Sequence, residues 1–122
     1  MKLEKRMYVE YLKHGIRTIG NRINEIKECG YVRDNKQQFG LTYYSPGSYL
    51  LIEKEIQNAS HNIIDLIEVG DYVNGYQVWQ LFRKNVNSLQ NAVETTGGII
   101  YSDEVKSFVT KEQFNSMKTE VK

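Results

Sequence analysis

Between residues 8 and 26 the apolar positions step by three and four: Tyr8, Leu12, Ile16, Ile19, Ile23 and Ile26. That spacing lines one stripe of an amphipathic helix. Gly15 and Gly30 interrupt it, each behind a short segment with a basic residue, which is the pattern of a helix C-terminus. The pattern predicts a short helix over 3–14, a turn at 14–17, and a second helix over 18–29 with Thr18 as N-cap. Gly20 inside that helix permits close packing against a neighbour.

Downstream the pattern shifts toward β-formers. Tyr31, Val32, Phe39, Leu41, Tyr43, Tyr49, Leu51 and Ile52 flank a turn sequence, Ser45-Pro46-Gly47-Ser48. Pro46 presets φ and Gly47 accepts a positive one, so a hairpin over roughly 38–44 and 48–55 is expected. A polar connector over 57–62 follows. The run 63–69 is ambiguous: Ile63, Leu66 and Ile67 have helical spacing, whereas the β-branched content favours a strand. Asn74-Gly75 between aromatic and β-branched flanks predicts a type I′ hairpin. The polar stretch 83–98 reads as a loop, and 99–101 and 105–109 as two short strands joined at Ser102-Asp103. Thr110 three residues before Gln113 is a capping-box pattern and predicts a closing helix over 111–118. The expected class is α+β: an N-terminal helical segment and β-hairpin, then a small, strongly bent antiparallel sheet or partial barrel with a short C-terminal helix. The division falls at 1–57 and 58–122, with one shared core allowed.

Two segments resemble known groups. Residues 17–32, RTIGNRINEIKECGYV, resemble the recognition helix of a winged helix-turn-helix domain. The resemblance implies that Ile19, Ile23 and Ile26 face the core while Arg17, Asn21, Arg22 and Asn24 are exposed. It places Arg22 and the asparagines near base edges, Arg17, Lys27, Arg33 and Lys36 on phosphates, and the hairpin at 45–48 as the wing. The sequence departs from that family in the short segment ahead of the helix, where a winged domain fits two helices. In the second half, NIIDLIEVGDYVNGYQV and DEVKSFVTKEQFNSMKTEV resemble a module of small uncharacterised phage and prophage proteins of Gram-positive bacteria. That resemblance implies a phage setting and a barrel-like shape capped by a helix, and it brings no catalytic residue.

Composition narrows the picture further. The chain has 122 residues, 40% hydrophobic and 25% charged, as expected of one small domain or two modules sharing a core. Residues 1–36 hold nine Lys/Arg against five Asp/Glu, a net of +4, and the remainder is net negative. Only the N-terminal third is therefore expected to face phosphates or an acidic protein. No apolar run is long enough to span a bilayer, and residues 1–13 lack the apolar core of a signal peptide. The single cysteine, Cys29, forms no disulfide framework, and the sequon at Asn58–Ser60 is read as chance. A cytosolic protein without a membrane partner is expected.

Residues for catalysis are sparse. His14 and His61 lie far apart, and no zinc spacing, phosphate-binding loop or nucleophile elbow occurs. Asp65, Glu68 and Asp71 read as a solvated edge rather than a cation site. No cofactor and no metal are expected. The informative excess is nine tyrosines, of which Tyr43, Tyr44 and Tyr49 around the proline turn are the expected contact residues. The reading is a non-enzymatic phage-type accessory protein that binds a host protein or protein–nucleic acid complex stoichiometrically, as an anti-CRISPR inhibitor would. A winged-helix-like DNA-binding regulator is the alternative, and a homo-oligomer is compatible with either.

Overall fold

A computed structural model describes residues 2–45, 50–82 and 92–118. The N-terminal stripe is not helical. It folds as two antiparallel strands, β1 (Tyr8–Lys13) and β2 (Ile16–Gly20), paired in register from Val9↔Gly20 to Lys13↔Ile16. Their turn is His14-Gly15, with φ of 53° and 78°. Two successive positive φ values define the turn whose twist matches a hairpin, so the glycine expected to end a helix instead reverses a strand. The second predicted helix is overturned in the same way. Residues 25–33 form β3 (Glu25–Arg33), which pairs along its whole length with β4 (Lys36–Tyr44) across Asp34-Asn35, at φ 54° and 62°. Tertiary pairing overrides the helical spacing because Tyr8, Val9, Tyr11, Ile16, Thr18 and Ile19 are all residues that pack well on a pleated surface.

β4 also pairs with β5 (Leu51–Ile52), through Thr42↔Ile52 and Tyr43↔Leu51. The expected hairpin between 38–44 and 48–55 therefore exists at its base, while its tip, 46–49, lies outside the described residues. β6 (Ile56–Ser60) returns to β1 and pairs antiparallel, with a register shift between Glu10 and Tyr11. The first half thus contributes two three-stranded sheets, ordered β2-β1-β6 and β3-β4-β5.

The ambiguous run after β6 is a one-turn 3-10 helix, Ile63–Asp65, whose first turn is capped by Asn62 Oδ1 accepting from the Ile64 N–H at 3.0 Å. A five-stranded sheet follows. It contains β7 (Tyr72–Val73), β8 (Tyr76–Phe82), β9 (Ala92–Thr95), β10 (Gly98–Tyr101) and β11 (Phe108–Val109), ordered β10-β9-β8-β7-β11. The β7–β8 hairpin turns on Asn74-Gly75, as expected. β9 lies within the stretch expected to be a loop, and its residues 83–91 are outside the described part. β10 and β11 are not neighbours but occupy opposite edges of this sheet. Helix α1 (Lys111–Lys118) begins at the predicted capping box: Thr110 Oγ1 accepts from the Gln113 N–H and Gln113 Oε1 accepts from the Thr110 N–H, both at 3.0 Å.

The expected α+β class is thus corrected to a mostly β fold of three antiparallel sheets, in which the described helix is C-terminal and short. Two buried clusters hold it. One gathers Val9, Tyr11, Ile23, Tyr43, Leu51 and Ile56. The other is built on Ile63, Ile64, Leu66 and Ile67 against Val73, Val78, Val93 and Ile100, with Ile19 of β2 among them. β2 therefore joins the two halves, and α1 packs beside it.

Candidate interaction surface

With no recognition helix, the residues expected along its polar face are dispersed. Asn21, Arg22 and Asn24 are exposed on the connector between β2 and β3. The Asn21 carbonyl accepts from the buried Ser45 hydroxyl, and the Asn24 N–H donates to the Tyr44 carbonyl at 2.7 Å. The Arg22 guanidinium stands 5.0 Å from the Tyr8 ring centre, a cation–π placement. Lys27 projects from β3, 3.5 Å from Glu25, and Lys36 is exposed beside the β3–β4 turn. Arg33 is tied to Glu55 at 3.0 Å and to the Leu50 carbonyl. Of the tyrosines, Tyr43 is core, Tyr44 is exposed, and Tyr49 lies outside the described residues.

Arg17 departs furthest from its expected phosphate-facing role. It is largely buried at the junction of the two halves. Its Nη1 and Nη2 grip the Asp71 carboxylate, both at 2.8 Å; Nη2 also donates to the Leu66 carbonyl, and Nε meets Glu10 at 2.5 Å. Glu68 and Glu112 complete the ring at 3.2 Å each. Burial, the largest influence, pulls the guanidinium pKa down. The hydrogen bonds to Asp71 and Glu10 and the nearby negative charges outweigh it, so the group is held above its ordinary value and stays a cation. Asp71 is fully buried and accepts further from the N–H groups of Glu68 and Lys111, at 2.8 and 2.9 Å. Every group here is satisfied by another part of the chain. The cluster is a structural clamp joining β2, the segment before β7, and the start of α1.

The solvated edge expected of Asp65, Glu68 and Asp71 is corrected at Asp71, which is fully buried against Arg17. Asp65 accepts from Ser60 Oγ at 2.5 Å, while Asp71 and Glu68 serve Arg17. Among the described residues no three His, Cys, Asp or Glu side chains are grouped to hold a metal. Cys29 lies in β3 with its sulfur 3.4 Å from Thr42 Oγ1. No helix among the described residues is long and apolar enough to cross a membrane.

The β3–β4 hairpin carries the surface that sequence reasoning passed over. Paired residues share a face, so one face reads, from base to turn, Ile26/Tyr43, Glu28/Leu41, Gly30/Phe39 and Val32/Gln37. Its base enters the core through Tyr43 and Ile26. Beyond the base the same face stays apolar but uncovered: Leu41 is 49% exposed, Phe39 70% and Val32 59%. The opposite face is polar and tied down, with Thr42 buried, Tyr31 Oη donating to Gln38 Oε1 at 3.3 Å, and Arg33 anchored to Glu55. The signal for this surface was present in the two-residue spacing of Phe39 and Leu41 and in Val32, which the two-residue turn at Asp34-Asn35 brings to the same face. A second set of exposed apolar side chains, Tyr76, Trp79, Ile99 and Tyr101, lies on the five-stranded sheet. There β8 is irregular between Val78 and Gln80, leaving Trp79 unpaired. Tyr76 lies over the Gly97 backbone and lines a shallow depression of about 670 Å³ together with Asn74, Ile100 and Lys106.

No protein family, no curated protein and no solved structure matches the chain.

Proposed function

We propose that this protein is a non-enzymatic binding module that docks on a protein surface through the outer face of the β3–β4 hairpin. The observation that supports this reading is the row Leu41, Phe39 and Val32, a continuation of a core face beyond the core it belongs to. Exposed aromatic and aliphatic side chains in a compact row, rimmed by Glu28 and Gln37, have the composition of an interface centre with a polar rim. The resemblance of the second half to phage and prophage proteins favours a host protein or protein–nucleic acid complex as the partner. Inhibition by occupying its surface, as an anti-CRISPR protein does, is the concrete form.

The test is co-purification from a host culture of the wild type beside Val32→Ser/Phe39→Ser. Both changes are at exposed positions, so the variant keeps its fold within roughly 0.5 kcal/mol. A specific protein partner should be retained by the wild type and weakened at least about tenfold in the variant. A partner retained equally by both, or nucleic acid as the sole species recovered, overturns the proposal.

A further inference from the structure

The long strand β3 has β4 on one side and, among the described residues, no strand on the other. Its two-residue turn makes Arg33 and Lys36 a hydrogen-bonded pair, so the odd-numbered residues of β3 bond to β4. The N–H and C=O groups of Ile26, Glu28, Gly30 and Val32 therefore point outward along nine residues of edge. Charged side chains on such an edge ordinarily discourage pairing. Here they instead discriminate between registers of pairing with a second copy.

An antiparallel pair related by a two-fold axis places residue i against a residue j of the other copy at constant i + j. Centred on Cys29, the whole strand overlaps. Glu25 then faces Arg33, Ile26 faces Val32, Lys27 faces Tyr31, and Glu28 faces Gly30, so no like charges are opposed. Moving the centre to Glu28 sets Glu28 against Glu28. Moving it to Gly30 sets Lys27 against Arg33, and moving it to Lys27 sets Lys27 against Lys27. Centring on Tyr31 avoids like charges but gives up much of the overlap. Opposite charges across a strand pair are favourable and like charges unfavourable.

We infer that the protein forms a two-fold dimer by antiparallel pairing of β3 with β3 of a second copy, centred on Cys29. The two hairpin sheets become one six-stranded sheet. The axis is perpendicular to that sheet, so the Val32, Phe39 and Leu41 faces of both copies lie on the same side. Val32, exposed in one copy, packs beside Ile26 of the other. The inference uses the strand edge; of the docking row only Val32 borders that edge, and Phe39 and Leu41 on β4 are left to the proposed partner.

Sedimentation equilibrium of the full chain tests it. The wild type should populate a dimer, and Glu25→Lys should weaken it about tenfold, since both symmetric pairs change from attraction to repulsion. Gly30→Pro removes an outward N–H while leaving the bonds to β4, and a Cβ there meets only the Gln38 carbonyl at 3.7 Å, so this variant should fold and be monomeric. If it does not fold, Glu25→Lys decides.

The register is read by oxidation with diamide, which takes up the two thiol hydrogens as the disulfide forms. Facing residues in a non-hydrogen-bonded pair have Cα atoms about 4.5 Å apart, within disulfide reach. Cys29 should link across the axis, whereas Cys29→Ser/Glu28→Cys should not. A monomer at every concentration, a dimer indifferent to Glu25→Lys, or equal linking at positions 28 and 29 overturns the inference.

Discussion

Arg17 shows why a residue's role resists reading from its neighbours in sequence. Beside Thr18 and ahead of Arg22 it looks like part of a basic, phosphate-facing stripe. Its actual partners, Glu10, Leu66, Asp71 and Glu112, are spread over most of the chain. Only the folded topology brings them to one point. Removing the guanidinium strands a fully buried carboxylate, so Arg17→Met should cost about 3–5 kcal/mol in urea denaturation. Arg17→Lys should recover little of that, because an ammonium cannot make the two parallel bonds to Asp71. Tyr43 gives a second prediction. Burial, and then the charge of Glu53, push its phenol pKa upward. A raised folded-state value means that the stability it contributes is complete below the unfolded pKa and is lost as pH rises past it, above about 10. The wild type should lose more stability than Tyr43→Phe between about pH 8 and pH 11, measured by paired denaturation midpoints.

Hairpins dominate at the scale of elements, and their turns were unevenly legible. Asn74-Gly75 was readable because both residues tolerate positive φ. The structure adds a second duty for Asn74. Its Oδ1 accepts from the N–H groups of Lys106 and Ser107, at 2.7 and 3.0 Å, and its Nδ2 donates to the Glu104 carbonyl at 3.0 Å. The side chain thereby holds the approach to β11. Asn74→Gly keeps the turn but deletes the clamp, and should cost about 1–2 kcal/mol by thermal or urea unfolding. Gly97 is constrained differently: a Cβ there would lie 2.6 Å from the Tyr76 ring. Gly97→Ala should destabilise by about 1 kcal/mol, and Tyr76→Ala in the same chain should relieve the loss.

His14-Gly15 reads as a helix end because a basic residue followed by glycine also ends helices, and Asp34-Asn35 gives no turn signal in the sequence because Asn at positive φ is less diagnostic than glycine. The stripe of Tyr8, Leu12, Ile16 and Ile19 matched a helical period by coincidence. The strand period was hidden by inward Glu10 and Thr18, polar residues that the clamp and the Ile16 carbonyl satisfy. The C-terminal helix was legible because its cap is local: Thr110 and Gln113 bond each other across three residues, and the further bond from the Thr110 hydroxyl to the Arg17 carbonyl at 2.6 Å is not needed to read it.

At the scale of the molecule, β2 and its Arg17 link two sheet systems, so the two halves share one frame. What projects from this frame is the β3–β4 hairpin. Its apolar face begins as core at Ile26 and Tyr43 and ends uncovered at Val32 and Phe39. Sequence reasoning looked instead to the tyrosines near Pro46. Tyr43 is spent in the core, which leaves Tyr44 as the described exposed member of that set. Site-specific photo-cross-linking in host cells tests the docking face most directly, with the probe placed at position 39 and, as a control, at exposed Gln57 on β6. A discrete adduct with one protein from position 39 and none from position 57 is the expected result. No adduct at 39, or the same adduct from both positions, would contradict docking through this hairpin.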